Sequence, residues 1–188
     1  APVHDGGPID MAEGVEVWRG GVASWECDVM GHLNVRFYVA KAMEGLAGLA
    51  AELGMPHAFT PDAEATLLVR DQHIRFLREA HPGAALSMTG GVLEVGESEA
   101  RLLLVLRHRD GQPAATFQTV VAHATARAGA AFPWPRRIRE RAQALMVPLP
   151  DYAAAKSLNL SPLAASAAAL ERAAALGLTR TGLGAVGP

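Results

Sequence analysis

Trp25-Glu26-Cys27-Asp28-Val29-Met30-Gly31-His32-Leu33-Asn34 joins two patterns that cannot belong to one element. Before it, residues 15–24 carry Val15, Val17 and Val22, the composition of a strand, with Gly20-Gly21 marking an irregularity. After it, Val39, Met43, Leu46, Ala50 and Leu53 recur at three- and four-residue spacing, which predicts a helix over 35–53. Asn34 can cap that helix by accepting a hydrogen bond from a backbone N–H, and Gly54 followed by Pro56 ends it. Ala40, Ala42, Gly45, Ala47 and Gly48 keep the helix slim enough to lie close against a sheet.

Beyond the helix the pattern turns to strands. Residues 67–79 alternate late, with Ile74 and Phe76 on one face and His73, Arg75 and Leu77 on the other. Residues 84–95 follow the turn His81-Pro82-Gly83, and residues 99–109 follow Gly96-Glu97-Ser98. Asp110-Gly111 is a hairpin signal leading into residues 114–125. One strand, one long helix and four strands on short turns make an α+β chain, an antiparallel sheet with a helix on one face. The order excludes a doubly wound nucleotide fold, and no GxGxxG or Walker loop is present.

Composition narrows the classes further. Half of the 188 residues are apolar and the formal charge is −2, so neither a nucleic-acid footprint nor a basic membrane patch is present. The single cysteine, Cys27, excludes a disulfide within the chain and points to a reducing, cytoplasmic setting. No stretch is long and apolar enough for a membrane span, and residues 1–14 lack the pattern of a secretory signal and read as a flexible lead-in. The strand-and-helix pattern occupies residues 15–127. Residues 128–178 form a different region: Phe132-Pro133-Trp134-Pro135, a basic helix over 135–146, a proline-rich linker, and an alanine-rich helix started by Ser161-Pro162. At 179–188, Arg180-Thr181-Gly182-Leu183-Gly184-Ala185 resembles Arg19 to Ser24 and reads either as the start of a truncated second copy or as a glycine-rich tail.

The opening segment also carries the chemistry. It delivers a carboxylate, a glycine and polar side chains to the start of the one long helix, where free N–H groups and a partial positive charge favour a developing oxyanion. A carboxylate there can attack a thioester or activate water. The pattern Glu26-x-Asp28-x-x-Gly31-His32-x-Asn34-x-x-x-Tyr38 resembles the signature loop of hotdog-fold thioesterases of the 4-hydroxybenzoyl-CoA and acyl-ACP types. The resemblance spans about residues 13 to 127 and includes the order of elements. It implies a hotdog fold, in which a sheet of about five strands wraps one long central helix, here with a helical C-terminal extension.

The resemblance also assigns roles. Asp28 falls on the catalytic acid, Gly31 on the glycine whose N–H approaches the thioester oxygen, and His32 and Asn34 on the polar pair of the acyl-ACP branch. Met30 stands where that branch often has Asn, so its particular mechanism does not carry over. Substrate contacts are expected from Tyr38 at the sheet–helix junction, from Val39 and Met43 along an acyl tunnel, and from Arg75 toward coenzyme A phosphates. Glu44 is a carboxylate on the helix that could act only if it faced the cleft. Cys27 with His32 nearby leaves a thiol nucleophile as a lesser reading. No metal site is expected, since the histidines show no ligand spacing, and no cofactor beyond the carrier that forms part of the substrate. The partners expected are an acyl thioester and a second hotdog domain, as a homodimer or a covalent tandem, because a single copy would hold half a site. A hotdog dehydratase or hydratase, using Asp28 and His32, and a non-catalytic acyl-CoA-binding domain are the alternatives.

Overall fold

The computed structural model describes residues 14–156, 160 and 162–164. Five strands, β1 (Val15–Gly21), β2 (Ala65–Phe76), β3 (Ala85–Val95), β4 (Glu99–His108) and β5 (Pro113–Thr125), form one antiparallel sheet in the order β1-β3-β4-β5-β2. The long helix α1 (Val35–Glu52) packs on one face over β1, β3 and β4, and a short helix α2 (Arg136–Ala144) follows β5. This is the hotdog arrangement the sequence pointed to. The break in β1 lies between Glu16 and Trp18, however, and not at Gly20-Gly21, which pair regularly with Leu86 and Ala85.

Small residues decide which side of α1 meets the sheet. A Cβ on Gly48 would overlap the Val17 carbonyl oxygen, and one on Gly45 would overlap the Met88 sulfur. The buried stripe is therefore Tyr38, Lys41, Ala42, Gly45, Leu46, Leu49 and Ala50, continued by Leu53. Leu46, Ala50 and Leu53 of the expected apolar stripe are buried, but Met43 is exposed and Val39 only partly covered, so the contact face is rotated away from the first half of that stripe.

The sheet is covered on both faces. From Ala114 to Ala124 every residue of β5 is buried, and β4 is buried from Ala100 to Leu106, as the unbroken Leu102-Leu103-Leu104-Val105-Leu106 run requires. Leu102, Leu104 and Leu106 join the core under α1. Leu103 and Val105 point the other way, into a second cluster with Leu93, Val147, Tyr152 and Ala153. The chain after α2 thus crosses the face that α1 leaves open. Val92 donates to Leu145 and accepts from Val147, each at 2.9 Å, and a Cβ on Gly91 would meet Val147. Buried Gln118 donates to the Ala153 carbonyl at 2.8 Å. Trp134 and Ala142 join the main core, so the region after residue 128 is built into the same body as the sheet through at least Ala153. The alanine-rich helix and the repeat-like stretch Arg180 to Ala185 lie outside the described residues, as does the lead-in before Gly14.

Candidate active site

The loop between β1 and α1 is fixed by its own backbone. Asp28 N–H donates to the His32 carbonyl at 2.9 Å, Gly31 N–H to the Asp28 carbonyl at 3.0 Å, and Asn34 N–H to the Glu26 carbonyl at 3.0 Å. Gly31 takes φ of 76°, a conformation that favours glycine. Leu33, buried, donates to the Ala80 carbonyl at 2.8 Å and ties the loop to the β2–β3 connection. Below the loop, Lys41 of α1 holds both Glu26 carboxylate oxygens at 2.8 and 2.9 Å, and Glu26 also accepts from Ala23 N–H at 2.8 Å. Burial pushes the Glu26 carboxyl up, but the Lys41 ammonium and the Ala23 N–H outweigh it and hold the group below its ordinary value.

Asp28 sits at the tip. Its Oδ1 accepts from Met30 N–H at 2.9 Å and His32 N–H at 3.1 Å, while Oδ2 has no partner among the described residues. The two backbone bonds to Oδ1 fix the orientation of the carboxylate. The Asn34 side chain caps α1 by accepting from Arg36 N–H at 3.0 Å. Gly31 N–H already bonds inside the turn, so the donor the resemblance assigned to an oxyanion is engaged elsewhere. The first N–H of α1, that of Val35, has no acceptor among the described residues.

A groove of about 350 Å³ opens beside the loop, lined by His32, Leu33, Val35, Tyr38, Phe76, Leu77, Arg78 and Glu79. Tyr38 is buried, accepts from Ala80 N–H through its hydroxyl at 3.2 Å, and meets the Phe76 ring edge-on at 5.1 Å. Burial lifts its phenol above the ordinary value, which keeps it neutral. Asp28 lies just outside this lining, joined to it through His32.

Several sequence expectations fall elsewhere. Val39 and Met43 are on α1 but outside the groove lining. Arg75 turns to the C-terminal segment, donating to the Ala154 carbonyl at 2.9 Å, on the face of β2 opposite Phe76. Glu44 bonds the Trp18 indole at 2.5 Å. Cys27 is a poor nucleophile, since desolvation and the Asp28 and Glu26 carboxylates raise its thiol above the ordinary value. Glu79 and His81, to which no motif pointed, join His32 in space; their sequence separation gave no ligand spacing to read.

Around Asp28 the surface is apolar and open: Trp25, Val29 and Met30 are 80, 102 and 73% exposed. Among the described residues no helix is long and apolar enough to cross a membrane.

Residues 22–142 match the model of the thioesterase-like superfamily. No curated protein matches the sequence. Among solved structures, a Staphylococcus aureus protein in complex with CoA superposes with a TM-score of 0.66 at 15% identity, over 77% of this chain and 96% of that one. A Thermus thermophilus thioesterase complexed with coenzyme A and Zn gives 0.57 at 20% identity, over 68% and 92%. A gentisyl-coenzyme A thioesterase gives 0.60 at 16% identity, over 66% and 98%. At these identities the likeness is one of fold.

Proposed function

Because the chain belongs to the thioesterase-like superfamily, we propose that it hydrolyses an acyl thioester of coenzyme A or of acyl carrier protein, with Asp28 as the reacting carboxylate. The observation that carries this reading is the state of that side chain: one oxygen held by two backbone N–H groups, the other without a partner among the described residues, in the loop that leads into α1. The thioester carbonyl would lie toward the Val35 N–H, where the helix N-terminus favours negative charge. Asp28 either attacks the carbonyl carbon or takes a proton from the attacking water. In both routes water is consumed, the carbon–sulfur bond breaks, and a free acid and a thiol leave. His32 borders the path between Asp28 and the groove. No cofactor is required beyond the carrier, and the reading places the enzyme in the cytoplasm.

A second copy belongs to the same proposal. Trp25, Val29 and Met30 around Asp28, and Val69 and Phe76 on the edge strand β2, are apolar and exposed in one chain. A partner hotdog domain seated there would exclude water from Asp28 and complete the channel.

The test is an acyl-CoA panel assayed for thiol release with wild type and Asp28→Asn. The variant is expected to lose about 100-fold or more in turnover, the scale of removing a reacting acid or base. Equal turnover by both proteins would remove Asp28 from the chemistry. Conversion of an enoyl substrate without thiol release would favour the hydratase alternative. Single turnover in heavy-oxygen water tests for direct attack: label on Asp28 would require a mixed anhydride opened by water at the Asp28 carboxyl carbon, whereas water attacking the acyl carbon puts the label in the product acid.

A further inference from the structure

Three side chains from two distant segments converge at the rim of the groove. His32 Nε2 lies 3.2 Å from Glu79 Oε2. The His32 and His81 rings meet edge to face, 5.2 Å between centroids. One ligand atom from each of His32, Glu79 and His81 lies within 4.8 Å of the other two. We propose that these three residues bind a single divalent transition-metal ion of the zinc class, with a coordination position left open toward the groove that His32 and Glu79 line.

The donor set selects the ion. Two imidazoles and one carboxylate suit Zn²⁺, Co²⁺ or Ni²⁺, whereas Mg²⁺ and Ca²⁺ take oxygen ligands. Three protein ligands with a vacant position is also the form of a zinc site that keeps a place for solvent or substrate.

The backbone holds the ligands before any ion arrives. Glu79 and His81 flank Ala80, which is fully buried; its N–H donates to the Tyr38 hydroxyl and its carbonyl accepts from Leu33 N–H. Leu33 in turn adjoins His32, so one short bridge fixes all three backbones. The Gly31 carbonyl lies 3.0 Å from His81 Nδ1. A carbonyl can only accept, so the proton sits on Nδ1 and the Nε2 lone pair is left for a ligand, the outer-shell arrangement common to metal-bound histidines. Arg78, next in sequence to Glu79, is paired with Asp110 at 2.6 Å and does not neutralise the Glu79 carboxylate. A simple His–Glu pair would not need the third group that the fold supplies.

The experiment is independent of the thioesterase reading, because it reads bound metal and not turnover. The full chain, stripped of metal, is titrated with Co²⁺ and followed by its visible ligand-field absorption. The expected result is saturation at one equivalent, displacement by Zn²⁺, and a loss of affinity of about 100-fold in Glu79→Gln and in His81→Ala. His57→Ala, at an exposed histidine outside the cluster, should bind as wild type does. His81→Ala removes the bond to Gly31 and could loosen the loop; Glu79→Gln removes no backbone contact and keeps the test decisive. Absence of a saturable site, or equal binding by wild type and Glu79→Gln, would overturn the proposal.

Discussion

At the scale of single residues, the loop holds two carboxylates two positions apart in different ways. Glu26 and Lys41 form a pair whose side chains are 15 and 6% exposed, whereas among the described residues the Asp28 carboxylate is bound only by backbone N–H groups. Removing one member of a largely buried pair leaves an uncompensated charge. Lys41→Met is therefore expected to lower stability by about 3 kcal/mol, measured by urea unfolding at neutral pH. The sign with pH follows from the lowered Glu26 value. The stabilisation is complete above the ordinary carboxyl value of 4.5 and is lost as pH falls through the lower folded value. In Lys41→Met that acid-side slope should flatten. Sequence reading placed Asp28 and the Asn34 cap by their position before the helix. It could not show that Glu26 is held by Lys41, since that contact spans 15 residues and forms only once α1 packs.

At the scale of elements, α1 was legible as a helix and only partly in its orientation, since Leu46, Ala50 and Leu53 are buried but Val39 and Met43 are not. Hydrophobic spacing favoured a stripe through Val39 and Met43, yet closeness to the sheet is set by Gly45 and Gly48, where no side chain intervenes. Gly48→Ala tests this. Helix propensity alone would favour alanine by about 1 kcal/mol. The added methyl meets the Val17 carbonyl, which is backbone and cannot step aside, and such overpacking costs about 1–3 kcal/mol. A lower melting temperature is expected despite the better helix former, and an unchanged or higher one would show that α1 can shift. The strands were easier to read, because their turns carry local signals such as Asp110-Gly111. The irregularity in β1 was not, because the bulge at Val17 has no glycine to announce it.

At the scale of the whole molecule, the chain after α2 supplies the second face of the sheet. Val147 lies against Gly91 and joins Leu103 and Val105, and the carbonyls of Asp151, Ala153 and Ala154 accept from Arg75 and Gln118 of β2 and β5. Val147→Asp would place a charge in this cluster without a partner, a change costing several kcal/mol where the segment stays seated. The segment is expected to detach, becoming sensitive to protease and exposing Leu103 and Val105. Sedimentation should then show concentration-dependent self-association, and a protease-resistant, unassociated variant would mean that the segment stays seated despite the charge.

The linear order of strand, long helix and four strands, together with the acidic-x-Asp-x-x-Gly-His-x-Asn loop, was enough to determine the fold class and to place Asp28 at a helix start, because both depend on local spacing and on turn chemistry. Which side of α1 meets the sheet, what covers the sheet's far face, and the meeting of His32 with Glu79 and His81 were decided only by tertiary packing. Each of these depends on contacts between segments tens of residues apart, and no local pattern in a chain encodes the distance between groups that only folding brings together.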